Sequence, residues 1–158
     1  MNRKIIHFRQ DEEGDWIAEL ACGHSQHVRH RPPFVEREWV MTEAGRKARL
    51  GDAMACRSCD RLELPQGFEP YRSTPVFDSL SVPKGLLRDH QTGPGTWGRI
   101  DVLAGALTYT LSAPIDRVLH LASGDSAFIP PEALHCVALS GDARFQVTFL
   151  KRPVEAAV

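Results

Sequence analysis

The stretch Gly124-Asp125-Ser126-Ala127-Phe128-Ile129-Pro130-Pro131-Glu132-Ala133-Leu134-His135 decides how this 158-residue chain folds. Gly124-Asp125 is a turn that leads into a short apolar strand, Ala127 to Ile129. Pro130-Pro131 ends that strand, because proline has no N–H for a ladder and fixes its own φ. His135 then opens a second apolar run, Cys136-Val137-Ala138-Leu139. A proline turn thus delivers a histidine to the start of a strand. In a small β-barrel that position faces the interior mouth, where a metal ion or a small ligand can sit.

Outward from this stretch the second half reads as all-β, with short apolar runs separated by Gly, Pro, Asp and Ser turns. Ile100 to Leu111 reads as two strands around a turn at Gly105, and Arg117 to Leu121 as another strand. Phe145 to Leu150 alternates and closes the set. Leu86 to His90 reads as a strand ending in a histidine, followed by the loop Gln91 to Thr96. Histidines at two strand ends can converge on one ion, so His90 and His135 are candidate metal ligands. The alternative is two satisfied polar histidines in a barrel mouth. His120, mid-strand between leucines, reads as outward or packed. Glu132 is the one candidate proton carrier near His135.

The first sixty residues have a different texture. Lys4 to Arg9 and Asp15 to Leu20 form a hairpin around Asp11-Glu12-Glu13-Gly14. A knuckle and a third strand follow within Ala21 to Arg31, and Thr42 caps a helix from Glu43 to about Leu50. Cys22-Gly23-His24 and Cys56-Arg57-Ser58-Cys59 have the form of two knuckles offering soft and imidazole ligands to one tetrahedral zinc. Gly23 allows the tight turn this needs. A sixty-residue segment has little core of its own, and a structural metal would supply the missing stability. The expected ligands are Cys22, Cys56, Cys59 and His24, with His27 the competitor for the fourth place. Buried thiols with surface histidines are the plainer alternative.

Charge is nearly balanced, with 19 Lys and Arg against 20 Asp and Glu, which argues against a basic nucleic-acid surface or an acidic tail. Locally His27, Arg29, His30, Arg31 and Arg37 could meet phosphates, but Glu36, Glu38 and Glu43 interleave with them. A solvated mixed-charge surface is the expectation, and nucleic acid is not an expected partner. The start, Met1 to His7, precedes no long apolar run, so neither a signal peptide nor a membrane span is expected, and a cytoplasmic location follows. Four cysteines in a reducing compartment point to metal ligation or buried thiols rather than disulfides.

Two family resemblances add to this reading. Asp11 to Trp16, Cys22-Gly23-His24, His27-Val28-Arg29-His30, Pro32-Pro33 and Cys56 to Arg61 are together similar to the small bacterial domains called DUF3565. That resemblance implies a domain boundary and a metal site, and no activity. The spacing from Gly124 through Pro130 to His135 resembles the second motif of the cupin barrels, with Glu132 where glycine often stands. The usual first cupin motif, a His-x-His pair with a glutamate, is missing between Gly95 and Gly105, and Arg99 stands near the glutamate's place. Pro70 to Phe77, Val82 to His90, Gly95 to Ile100, Gly105-Ala106-Leu107 and Ile129 to His135 look like the cupin-like DUF1971 family. That family occurs in a nitrate/nitrite-induced bacterial protein and at the front of some tellurite-resistance methyltransferases. The resemblance implies divalent-metal binding and a link to oxyanion or nitrosative stress. No methyltransferase follows before Val158. Gly93 replaces a common lysine, and Thr148 stands where an acidic residue is frequent. Cupins often pair through their sheets, which implies a homodimer.

The expected fold is mainly β: a small zinc-stabilised α+β module over residues 1–61, a linker over 62–69, a cupin-like antiparallel β-barrel (double-stranded β-helix) over 70–152, and a tail over 153–158. The expected cofactors are Zn²⁺ in the first module and a divalent ion, Zn²⁺ or Fe²⁺, at His90 and His135. Arg88, Arg99 and Trp97 are the expected ligand-binding residues. The leading function is a cytosolic metal-binding protein that takes a small molecule or an oxyanion in a tellurite- or nitrosative-type stress response. The alternatives are a metal-dependent dioxygenase or isomerase, and a nucleic-acid-linked regulator using the zinc module. Binder and enzyme stand nearly level, with the balance toward the binder.

Overall fold

A computed structural model describes residues 1–153, so all but the first residue of the expected tail lies outside the described residues. The chain divides into two compact units, Met1–Arg57 and Ser58–Val158. Both are built on antiparallel sheets.

In the first unit, strands β1 (Asn2–Gln10), β2 (Trp16–Leu20), β3 (Ser25–His27) and β4 (Ala53–Ala55) form one sheet in the order β3-β2-β1-β4. The hairpin expected from the sequence is β1 and β2. Asp11 closes its turn by accepting from the Glu13 and Asp15 N–H groups at 3.0 and 2.8 Å, and Gly14 supplies the positive φ of 85°. Ile5, Ile17, Ala18, Leu20, Val28 and Val40 are buried and make its core. Helix α1 spans Glu43–Ala48, with Thr42 accepting from the Gly45 N–H at 3.1 Å as its cap. Helix α2, a single turn over Arg57–Asp60 that begins at the last residue of this unit, carries Cys59.

The second unit is organised by two long strands, β6 (Trp97–Leu111) and β9 (His135–Lys151), paired along nearly their whole length. Strand β5 (Glu69–Ser73) flanks β9. On its other side β6 pairs first with β8 (Ser126–Ile129) and then with β7 (Arg117–Ala122).

Three local expectations are corrected here. Gly105 is not a turn between two strands: β6 runs through it, and the ladder to β9 shifts register on both sides of Ala104. Gly105 sits in the left-handed region at φ 63°, and a Cβ there would lie 2.7 Å from the Ala143 N and Cα. The site is therefore a β-bulge, which needs glycine for both conformation and space. Its effect is visible in the burial phase. Gly98, Ile100 and Val102 face inward before the bulge, and Leu107, Tyr109 and Leu111 after it. One extra residue thus moves the inward face from even to odd positions. Second, the runs beginning at His135 and ending at Leu150 are one strand, because Gly141 and Asp142 lie within β9 rather than ending it. Third, Leu86 to His90 is not a strand. Lys84–Leu87 is a short 3₁₀ turn, and His90 then meets His135 in an isolated bridge. Pro83 ahead of this segment sets a turn start rather than a ladder position.

Among the described residues no helix is long and apolar enough to cross a membrane.

Candidate functional site

Two groups of side chains carry chemistry. The first is Cys22, His24, Cys56 and Cys59, whose ligand atoms all lie within 4.8 Å of one another. The turn after β2 builds it. The Leu20 N–H donates to the His24 carbonyl at 2.8 Å, the Gly23 N–H donates back to the Leu20 carbonyl at 2.8 Å, and Gly23 takes φ 94°. That turn sets Cys22 and His24 side by side, and β4 leads directly into Cys56 and the turn of α2 that presents Cys59. The three thiols are buried. Cys22 Sγ lies 3.9 Å from Cys56 Sγ, and His24 Nδ1 lies 3.5 Å from Cys22 Sγ and 3.4 Å from Cys56 Sγ. Burial disfavours a charged His24, but hydrogen bonds and charge from Cys22 and Cys56 outweigh it and pull the ring up to about 9. These four side chains form a group able to hold a metal ion. His27, the competitor for the fourth place, is elsewhere: its Nε2 pairs with the Asp11 carboxylate at 2.8 Å.

Several basic residues of the first unit face carboxylates. Arg29 and Arg31 both face Asp15, Arg9 pairs with Glu19, Arg49 with Asp52 and Lys47 with Glu43. Arg46 Cζ lies over the Trp16 ring, 3.5 Å from its centroid.

The second group is His90 and His135. Their backbones exchange two hydrogen bonds, His90 N–H to the His135 carbonyl at 3.0 Å and His135 N–H to the His90 carbonyl at 2.9 Å. Their ring centroids are 4.1 Å apart. His135 Nδ1 donates to the Ala133 carbonyl at 2.7 Å, and His90 Nδ1 donates to the Arg88 carbonyl at 3.0 Å. Each ring is thereby held in one tautomer, with the lone pair on Nε2. His135 is 2% exposed, and its ionisation is pushed down to about 4, first by burial and then by the neighbouring His90. Tyr109 meets His135 edge-on and donates its hydroxyl to the Phe128 carbonyl at 3.2 Å; burial raises its ionisation far above the usual phenol range.

Both imidazoles line a cavity of about 130 Å³. Its walls are mostly Ile100, Ile129, Val137, Phe145, Val147 and Phe149. Thr74, Gln91 and Thr92 add polar atoms, but the Thr74 and Thr92 hydroxyls already donate to the carbonyls of Pro75 and Thr96 at 2.8 Å each. The other expected ligand-binding residues are not brought here. Arg99 is turned to Asp101, 3.0 Å from its carboxylate. Trp97 is fully buried against Phe68 in the core, and Arg88 is exposed and outside the lining. Glu132 is exposed on the proline turn at φ 57° and does not line the cavity either. Thr148 is buried and paired to the Ser73 hydroxyl at 3.0 Å. Among the described residues, the Cys/His cluster is the only group of three or more ligand-type side chains close enough to share an ion. Sequence reading missed the apolar wall, because Leu86, Ile129 and Val147 come from segments far apart in the chain.

Comparison with known proteins places both halves. A family model described as "Protein of unknown function (DUF3565)" matches residues 6–63, and one described as "TehB-like domain" matches residues 72–147. The uncharacterized protein YeaR of Escherichia coli K12 is 33% identical over 101 residues, covering 58% of this chain and 85% of YeaR. A crystal structure of an E. coli K12 protein, a structural-genomics target, superposes with a TM-score of 0.54 at 30% identity, covering 59% of this chain and 99% of that one. The structure of TehB from Haemophilus influenzae gives 0.49 at 29% identity, over 55% of this chain and 32% of that one. The chain therefore belongs, through its second module, to the family of the E. coli protein YeaR.

Proposed function

We propose that this chain is a two-module binding protein, with a structural zinc site in the first module and a small-molecule cavity in the second. Zinc sets tetrahedral edges of about 3.8 Å between sulfurs and about 3.5 Å between sulfur and imidazole nitrogen, from ligand distances of about 2.3 and 2.0–2.1 Å. The three edges among Cys22, His24 and Cys56, at 3.9, 3.5 and 3.4 Å, agree with that shape, and Cys59 completes a set within 4.8 Å. Three thiolates and one histidine leave no place for substrate, which is the pattern of a structural site rather than a catalytic one. The zinc ties the turn after β2 to the segment entering α2 and so holds a small module together.

For the second module, the cavity carrying His90 and His135 is the observation that supports a ligand-binding role. A role in a tellurite- or nitrosative-type stress response is what the DUF1971 resemblance of the second module implies, and the TehB-like match over residues 72–147 agrees with that resemblance. The cupin form of the barrel is the finer reading of its fold. An enzyme of oxygenase type would need more than two protein ligands and a proton carrier at the cavity. The binder is therefore the preferred function.

Elemental analysis of protein purified without chelators tests this. About one zinc per chain, lost in Cys59→Ser and kept in His90→Ala, is the expected result. No zinc in the wild type overturns the first module's assignment. A second ion that His90→Ala removes would convert the cavity into a metal site.

A further inference from the structure

The wall chemistry of the cavity and the fixed tautomers of its two histidines select a narrow class of ligand. This inference rests on the cavity's binding role proposed above. None of the lining residues is an aspartate, glutamate, lysine or arginine, and the walls are aliphatic and aromatic. An oxyanion buried there would lose its hydration and gain no fixed cation. The arginines that could have offered one, Arg88 and Arg99, lie outside the lining.

The histidines sharpen the exclusion. Because each Nδ1 donates to a backbone carbonyl, each ring meets a ligand through the Nε2 lone pair. Two acceptors on rings whose centroids are 4.1 Å apart repel an acceptor-only ion such as nitrite or tellurite. They welcome a hydrogen-bond donor. Burial keeps His135 neutral, so it does not convert into a donor at neutral pH.

Volume sets the size. The cavity's 130 Å³ is close to the roughly 150 Å³ of an apolar cavity that takes benzene. We propose that the cavity binds an uncharged single-ring molecule bearing a hydroxyl group, a phenol in its simplest form, with the ring against Phe145, Ile129 and Val137 and the O–H donated to an Nε2 of the His90–His135 pair. No ion is needed for this contact.

Calorimetric titration of the full chain, with zinc restored to the first module and no other metal present, tests the proposal with phenol, benzene and sodium nitrite. The expected result is phenol bound about five- to tenfold more tightly than benzene, the worth of one neutral hydrogen bond, and nitrite not bound. His90→Leu keeps its main-chain bridge and is expected to narrow the phenol–benzene difference while still binding benzene. A nitrogen-15 shift of one histidine Nε2 on adding phenol, absent with benzene, locates the contact. Equal binding of phenol and benzene, nitrite binding, or phenol binding only after iron or further zinc is added each overturns the ligand class while leaving a binding cavity. Failure of both phenol and benzene overturns the cavity's binding role itself.

Discussion

His90 and His135 are joined through their main chains: each donates its N–H to the other's carbonyl, at 3.0 and 2.9 Å. The fold thus needs their backbones more than their rings. Replacing His90 by alanine leaves the bridge in place and is expected to cost less than about 1 kcal/mol, because the His90 ring is partly exposed. His135→Ala removes a ring that is 2% exposed and is expected to cost about 2–4 kcal/mol. Urea unfolding of both variants checks the difference, and equal losses would show that the two rings are packed alike.

The same histidine gives a pH dependence. In the unfolded chain His135 titrates near 6.5, whereas in the folded protein burial and His90 hold it down to about 4. Between those values the unfolded state binds the extra proton, so stability is full above about pH 6.5 and falls as pH drops toward 4. The loss is on the order of 3 kcal/mol at most. Denaturation midpoints of the wild type and His135→Gln, followed by signals of the second module from pH 7 to 4.5, check it. The variant is expected to show the shallower slope.

Removing the zinc proposed for this cluster is expected to unfold the first module selectively. Its apolar core is small, and structural zinc is worth about 10–16 kcal/mol in isolated zinc-finger peptides at neutral pH. Chelation, or Cys59→Ser, should abolish the amide dispersion of β1 and β2 while leaving that of β6 and β9 intact. Heteronuclear spectra with and without chelator read this directly. His27→Ala should retain the metal, since that ring pairs with Asp11.

Glu132 offers a gain rather than a loss. It is exposed at φ 57°, a left-handed conformation that costs a residue with a Cβ about 1 kcal/mol. Glu132→Gly is expected to raise stability by up to about 0.5 kcal/mol, the relief of that strain less the entropy glycine adds to the unfolded chain. An unchanged or lower urea midpoint would mean that the carboxylate makes up the difference.

Much of this was readable from residues alone, for identifiable reasons. The Cys22-x-His24 and Cys56-x-x-Cys59 spacings are local, so glycine at 23 and one turn of helix suffice to present their ligands. The hairpin of β1 and β2 and the Thr42 cap are local too. His90 and His135 were singled out by position relative to proline and strand ends, and the structure brings them together. The reading fell short where geometry is non-local. Gly105 has the same letter whether it ends a strand or bulges one, and only the partner strand at Ala143 decides between them. Arg99 reads as a ligand group until Asp101, two residues on and on the same face, is seen to claim it.

The extra residue at Ala104-Gly105 has a consequence for how this sheet tolerates change. Straightening β6 into an unbroken pleat there, with no residue removed, would carry the even-numbered inward face straight through. The price would be an exchange of inside for outside along everything beyond it, sending Leu107, Tyr109 and Leu111 to solvent and Thr108 and Thr110 to the interior. The strand is in effect two half-strands of opposite parity, and the glycine is the coupling that lets them share one ladder.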